Sequence, residues 1–167
     1  IMPKKGIYVT DISLNDVLQI FQTRIEIEPI AVRLAAPHLP REELLAFCGK
    51  FKGEAPDIQN GFRLDTAMHL FIIEHCGNRY MVDVMHRVYD ISSRIVYFVH
   101  QNHATVHVEA GENLEILKLL LEDNVDTATE KMKVHIEHCR MAALNYFYTI
   151  PQAAPAQTYR EKLYKKQ

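Results

Sequence analysis

Residues 62–76 read FRLDTAMHLFIIEHC and run into Gly77-Asn78. Phe62, Asp65, His69 and Ile72 or Ile73 recur at helical spacing, so they share one face of a helix predicted over about Asp57–Cys76. Gly77-Asn78 is a strong stop and turn. On this face a carboxylate and an imidazole stand four residues apart, one above the other. Such a pair can grip one metal ion, and His135, on another predicted helix, can supply the next ligand. A helix that turns metal donors inward needs other helices around it, so the stretch points to a bundle.

The flanking sequence supplies those helices. Ser13 or Asn15 can cap a first helix, whose apolar stripe runs through Leu14, Val17, Leu18, Phe21, Ile25, Ala31, Val32 and Ala35. Pro29 is expected to kink it or mark a junction, and Pro37 and Pro40 close it. A second helix starts after Pro40 and ends near Gly53 and Pro56. A fourth spans about Arg79 to Asn102, with Met81, Val84, Met85, Val88, Ile91, Ile95 and Phe98 inward. His100–Gly111 reads as a polar loop, and a fifth helix is expected from Glu112 to Glu122. After a tight turn at Asp123-Asn124, a sixth runs from about Asp126 to Tyr148, with Ala128, Met132, His135 and Cys139 in one register. The fold class is therefore all-α, an antiparallel bundle with short connections.

Outside this body, Gly6–Ile12 has strand character and reads as a remnant of something upstream, while residues 151–167 read as a flexible tail. The chain begins with Ile, as a fragment or processed product would.

Composition narrows the function classes. A chain of 167 residues suits one domain with a full core. A net charge of −2 lacks the basic surplus of a domain that binds DNA on its own face. Cys48, Cys76 and Cys139 are odd in number and lack CxxC spacing, which fits reduced thiols in a cytoplasm. No apolar run approaches the roughly 20 residues of a membrane span, and no signal peptide is visible. The Glu-x-x-His pairs of di-metal bundle enzymes are absent, as are HExxH and a Gly-rich phosphate loop, so an enzyme is not expected. His100, His103 and His107 form a second metal grip only if their stretch is helical; His138 reads as a surface residue, and Cys76 and Cys139 as buried apolar residues.

Several segments together resemble a known family. Arg24-x-x-Ile27-Glu28-Pro29 with Ala31 and Arg33-Leu34-Ala35-Ala36, then Phe62-x-x-Asp65-x-x-x-His69, Gly77-Asn78, Glu112-Asn113-x-x-Ile116-Leu117, and Asp126 and Ala128 leading through Met132 to His135-Ile136, cover roughly residues 13–148. Their order and spacing resemble the FadR-type C-terminal ligand-sensing (FCD) domain of GntR-superfamily transcription regulators. Gly6-Ile7-Tyr8-Val9 looks like the last wing strand of that family's winged-helix head.

The resemblance implies a six- to seven-helix effector-binding and dimerisation domain over residues 13–150, preceded by a wing-strand remnant at 1–12. It implies a cytoplasmic homodimer that reaches operator DNA through an N-terminal winged-helix domain. It also implies a divalent metal (Zn, Ni or Mn) and a small organic acid effector. Carried over residue by residue, the metal positions are Asp65, His69 and His135, with Asn113 where the family has a further His. An amide oxygen is a weaker donor than imidazole, so a metal-free sensor of the fatty-acyl-binding kind is the alternative. Arg24 is the leading effector contact, with pairing to Glu28 at i+4 as its other reading; Asn78 and Arg94 are further candidates.

Overall fold

The computed structural model describes residues 12–53, 58–99 and 103–149. Six α-helices account for nearly all of them: α1 (Leu14–Ala35), α2 (Arg41–Lys52), α3 (Ile58–Glu74), α4 (Arg79–Val99), α5 (His103–Leu121) and α6 (Val125–Thr149). A 3-10 turn, Ala36–His38, follows α1. The expected wing strand before Ile12, the tail from 151 and His100 lie outside the described residues.

Local chemistry sets the helix ends. Ser13 caps α1 in a reciprocal box: the Asp16 N–H donates to Ser13 Oγ at 3.1 Å, and the Ser13 N–H donates to Asp16 Oδ2 at 2.8 Å. Gly77, at φ 71°, ends α3 where a side chain would strain the backbone. α5 ends in a Schellman motif: the Asn124 N–H reaches the Leu119 carbonyl at 2.9 Å and the Asp123 N–H the Leu120 carbonyl at 3.3 Å. Asp123 takes the left-handed position, at φ 56°, that glycine usually holds.

Two expectations change. α1 runs through Pro29 as one helix, so the proline marks no junction. The stretch predicted as a loop up to Gly111 is helical from His103, and α5 starts there rather than at Glu112. Its buried residues Glu109, Asn113, Ile116, Leu117 and Leu120 form a stripe at helical spacing whose first two members are polar. An apolar-periodicity reading misses the stripe where it turns polar. Gly111 sits on the exposed side, where a Cβ would meet nothing within 4 Å.

α1 packs against α6, α4 and α3, and α5 packs against α6, α2 and α3. The short α3–α4 and α5–α6 turns make those partners antiparallel. The core is apolar, built from residues such as Phe21, Met68, Ile72, Met85, Leu117 and Ile136. Within it lies a band of buried polar groups: Arg24, Glu28, His69, Ser92, Glu109, Asn113 and His135. Buried polar groups must be paired to be tolerated, so their partners decide what the band does.

Candidate metal centre

Asp65 and His69 on α3 and His135 on α6 bring one donor atom each to within 4.8 Å of the others. Asp65 Oδ1 lies 3.6 Å from His69 Nε2 and 3.5 Å from His135 Nε2. The two imidazoles stack, with centroids 5.2 Å apart and planes inclined by 24°. Both rings are fully buried, and Asp65 is 14 % exposed at its side chain.

A carboxylate outside the cluster orients each ring. His69 Nδ1 is 2.5 Å from Glu28 Oε2, and His135 Nδ1 is 2.9 Å from Glu112 Oε2. Each Nδ1 is engaged outward and each Nε2 is turned toward Asp65. This carboxylate–histidine pattern fixes tautomer and ring orientation at protein metal sites. Glu28 is anchored in turn: its Oε1 accepts from Arg24 Nε at 2.6 Å and from the Tyr89 hydroxyl at 2.9 Å. Arg24 also donates to Ser92 Oγ at 3.1 Å and to the Tyr89 hydroxyl at 2.8 Å. Glu112 is shared with His138, whose Nδ1 is 2.6 Å from Oε1.

The donor chemistry fits a divalent ion. Among the described residues, His69 Nε2 and Asn113 Oδ1 are buried side-chain atoms with no hydrogen-bond partner. Burying such atoms unpaired costs about 1–3 kcal/mol each, and a cation between the donors would engage the imidazole lone pair. Two imidazoles and a carboxylate also form a donor set that transition metals accept.

The charges of the cluster lean on one another. Burial opposes ionisation of Glu28, but Arg24 and then His69 outweigh it and hold the carboxyl down at about 2. Burial likewise opposes the charge on Asp65, yet His69 and His135 keep it well below the usual carboxylate range. Burial disfavours a charged His69, but Glu28 and Asp65 raise it. His135 is raised well above its ordinary value against burial, with Cys139 and Asp65 the main opposing influences.

These shifts give a pH dependence for protein stripped of metal. The carboxylates contribute stability above their ordinary values of 4.5 and 3.8, lost as pH falls through the lower folded values. The histidines contribute fully below 6.5, and that stability is lost as pH rises through their raised folded values. Stripped protein should therefore be most stable between about pH 4.5 and 6.5 and weaken above. Divalent metal should reverse the alkaline decline, since it needs neutral imidazoles. Melting temperature against pH, in chelator and in metal, tests this; a chelated protein that gains stability from about pH 6 to 8 would contradict it.

The other expected residues fall in different places. Asn113, fully buried on α5, donates from Nδ2 to Asp65 Oδ1 at 2.7 Å, so it touches the cluster through its nitrogen. Arg24 is buried and paired with Glu28, two steps from the donors. Asn78 is exposed, and its Oδ1 accepts from the Tyr80 and Met81 N–H groups at 3.1 and 3.3 Å, capping α4. Asn78→Ala should therefore cost about 1 kcal/mol of stability and leave ligand affinity unchanged; denaturation and titration of the same variant check both. Arg94 is half-buried on α4. His103 and His107 belong to α5.

The sequence reading missed the supports Glu28 and Glu112. Glu28 was legible only as the i+4 partner of Arg24, and nothing local announces its contact with His69, 41 residues away. Cys139, expected as an apolar residue, is buried, but its Sγ lies 3.7 Å from His135 Nε2 and 3.6 Å from Glu109 Oε1. Burial pushes its thiol up to about 11.

Comparison with known proteins agrees with this architecture. The family model of the FCD domain matches residues 19–138. The uncharacterized HTH-type transcriptional regulator YdhC of Bacillus subtilis (strain 168) is 23% identical over 143 residues. The match takes in 81% of this chain and 63% of YdhC, so the chain spans less than two thirds of that relative's length. The solved metal-free FCD domain of TM0439, described as a candidate transcriptional regulator, is similar with a TM-score of 0.68 at 18% identity. That likeness covers 84% of this chain and 99% of the other, and at such identity it shows the fold alone.

Proposed function

Because the chain belongs to the FCD domain family of transcriptional regulators, we propose that it senses a small carboxylate effector through a divalent ion held by Asp65, His69 and His135. The observation that carries this reading is the convergence of three donor atoms within 4.8 Å, with both imidazoles turned inward by Glu28 and Glu112. When bound, the ion supplies a fixed positive charge to which a hydroxy- or keto-carboxylate can add its oxygens.

The chain's own residues do the rest. Glu28 and Glu112 hold the rings in register, and Arg24 keeps Glu28 charged and oriented. Because the supports come from α1 and α5 and the donors from α3 and α6, a ligand at the centre bears on four helices at once. A shift in their packing would pass to an attached winged-helix head in a cytoplasmic homodimer. By linkage, effector and operator would then change each other's affinity by the same factor. In this reading the domain carries out no reaction.

The test is calorimetric titration of metal-loaded and chelator-stripped protein with citrate, malate, gluconate and 2-oxoglutarate. Binding confined to the loaded protein is expected; equal affinity in both would sink the metal-mediated reading. The Asn113–Asp65 hydrogen bond favours a second reading, a sensor that works without an ion. That reading predicts effector binding to the stripped protein.

A further inference from the structure

Resting on the metal reading above, we infer that Asn113 selects the effector rather than holding the ion. Its side-chain carbonyl accepts a hydrogen bond from an effector hydroxyl, so the centre takes 2-hydroxy acids in preference to 2-oxo acids. Asn113 is fully buried on α5, and its two polar atoms are treated differently. Nδ2 donates to Asp65 Oδ1 at 2.7 Å. Oδ1 is buried and has no hydrogen-bond partner among the described residues.

The contact with Asp65 fixes which end of the amide is left over. A carboxylate that ligates an ion is deprotonated. It then offers only acceptors, so the amide must turn its N–H toward it. Asp65 Oδ1 is also the atom that lies 3.6 and 3.5 Å from the inner nitrogens of His69 and His135. One oxygen therefore meets the other donors of the ion and anchors Asn113 as well. The nitrogen and oxygen of an amide stand only about 2.3 Å apart. Asn113 Oδ1 thus lies no farther than about 5 Å from Asp65 Oδ1. Three protein donors leave the ion open to an added ligand, as a centre that binds small molecules requires.

A buried acceptor beside this centre costs free energy until a donor arrives. The chemistry of that donor follows from the effector class. Carboxylate and keto oxygens are acceptors only, and either one set against Asn113 Oδ1 places two acceptors face to face. A protonated amine can donate but has no lone pair for the ion. A hydroxyl has both, so it can offer a lone pair to the ion and its proton to Asn113. Sites built to pair a ligand hydroxyl reject the analogue that lacks it, because their buried polar groups are then left unpaired.

Calorimetric titration of the zinc-loaded chain with two matched pairs tests this: lactate against pyruvate, and 2-hydroxyglutarate against 2-oxoglutarate. The hydroxy acid should bind about tenfold or more tightly than its oxo partner. Free zinc in the same buffer gives the preference of the ion by itself, and the protein should exceed it. Asn113→Leu removes the acceptor at similar volume, and its ratio should fall to that of free zinc. An oxo acid bound by the wild-type chain as tightly as its hydroxy partner would overturn the inference, and so would a preference that survives in Asn113→Leu. In both cases the metal reading itself would stand. Loaded protein that binds none of the four acids, or stripped protein that binds them equally well, would overturn both. If Asn113→Leu does not fold, the wild-type ratio set against that of free zinc still decides.

Discussion

Arg24→Ala should destabilise the protein by about 3–5 kcal/mol, the usual consequence of stranding one partner of a buried ion pair. Arg24 is 1% exposed and Glu28 is 1% exposed, so the carboxylate cannot turn to solvent when its partner is removed. The same change takes donors from Ser92 and the Tyr89 hydroxyl, both buried. For a chain of this size the melting temperature should drop by roughly 10 °C or more. Arg24→Lys keeps the charge but loses the planar fork that reaches Glu28, Ser92 and Tyr89 together, so it should recover only part of the loss. Chemical denaturation of the three proteins without metal gives the values. A cost under about 1 kcal/mol for Arg24→Ala would mean that Glu28 is not held by this pair.

His69→Ala should abolish the stabilisation that added metal confers. An ion present at about 1,000 times its dissociation constant stabilises a protein by about 4 kcal/mol, and removal of one of three convergent donors should eliminate most of that gain. The variant also strands Glu28 Oε2, so stripped protein should melt lower as well. The two effects separate cleanly: the difference in melting temperature with and without metal reports the site, and the stripped value reports the lost contact with Glu28. A variant that keeps the wild-type metal-induced shift would remove His69 from the centre.

Much of this architecture was legible in the residues. Apolar periodicity located α1 to α4 and α6, and Gly77 and Asp123 marked two of the turns by their backbone demands. The Asp65–His69 pair was legible because both donors lie on one helix at i and i+4. The first half of α5 was not: the first buried side chains described on it, Glu109 and Asn113, are polar and carry no apolar signal. The supports were hidden for a different reason. Glu28 and Glu112 look like ordinary helix-face carboxylates until the bundle sets them against histidines 41 and 23 residues away. Arg24 shows the same limit: its pairing with Glu28 is local and could be read, whereas its reach to Tyr89 and Ser92 on α4 depends on packing. Three-dimensional proximity also turned Cys139 from a core residue into a neighbour of the metal-facing nitrogen of His135.

Elemental analysis of the chain purified without chelator tests the central claim most directly. About one divalent ion per chain, lost in His69→Ala, is the predicted result. Protein that carries no ion, and takes none up after metal addition and dialysis, would contradict a metal centre at Asp65, His69 and His135.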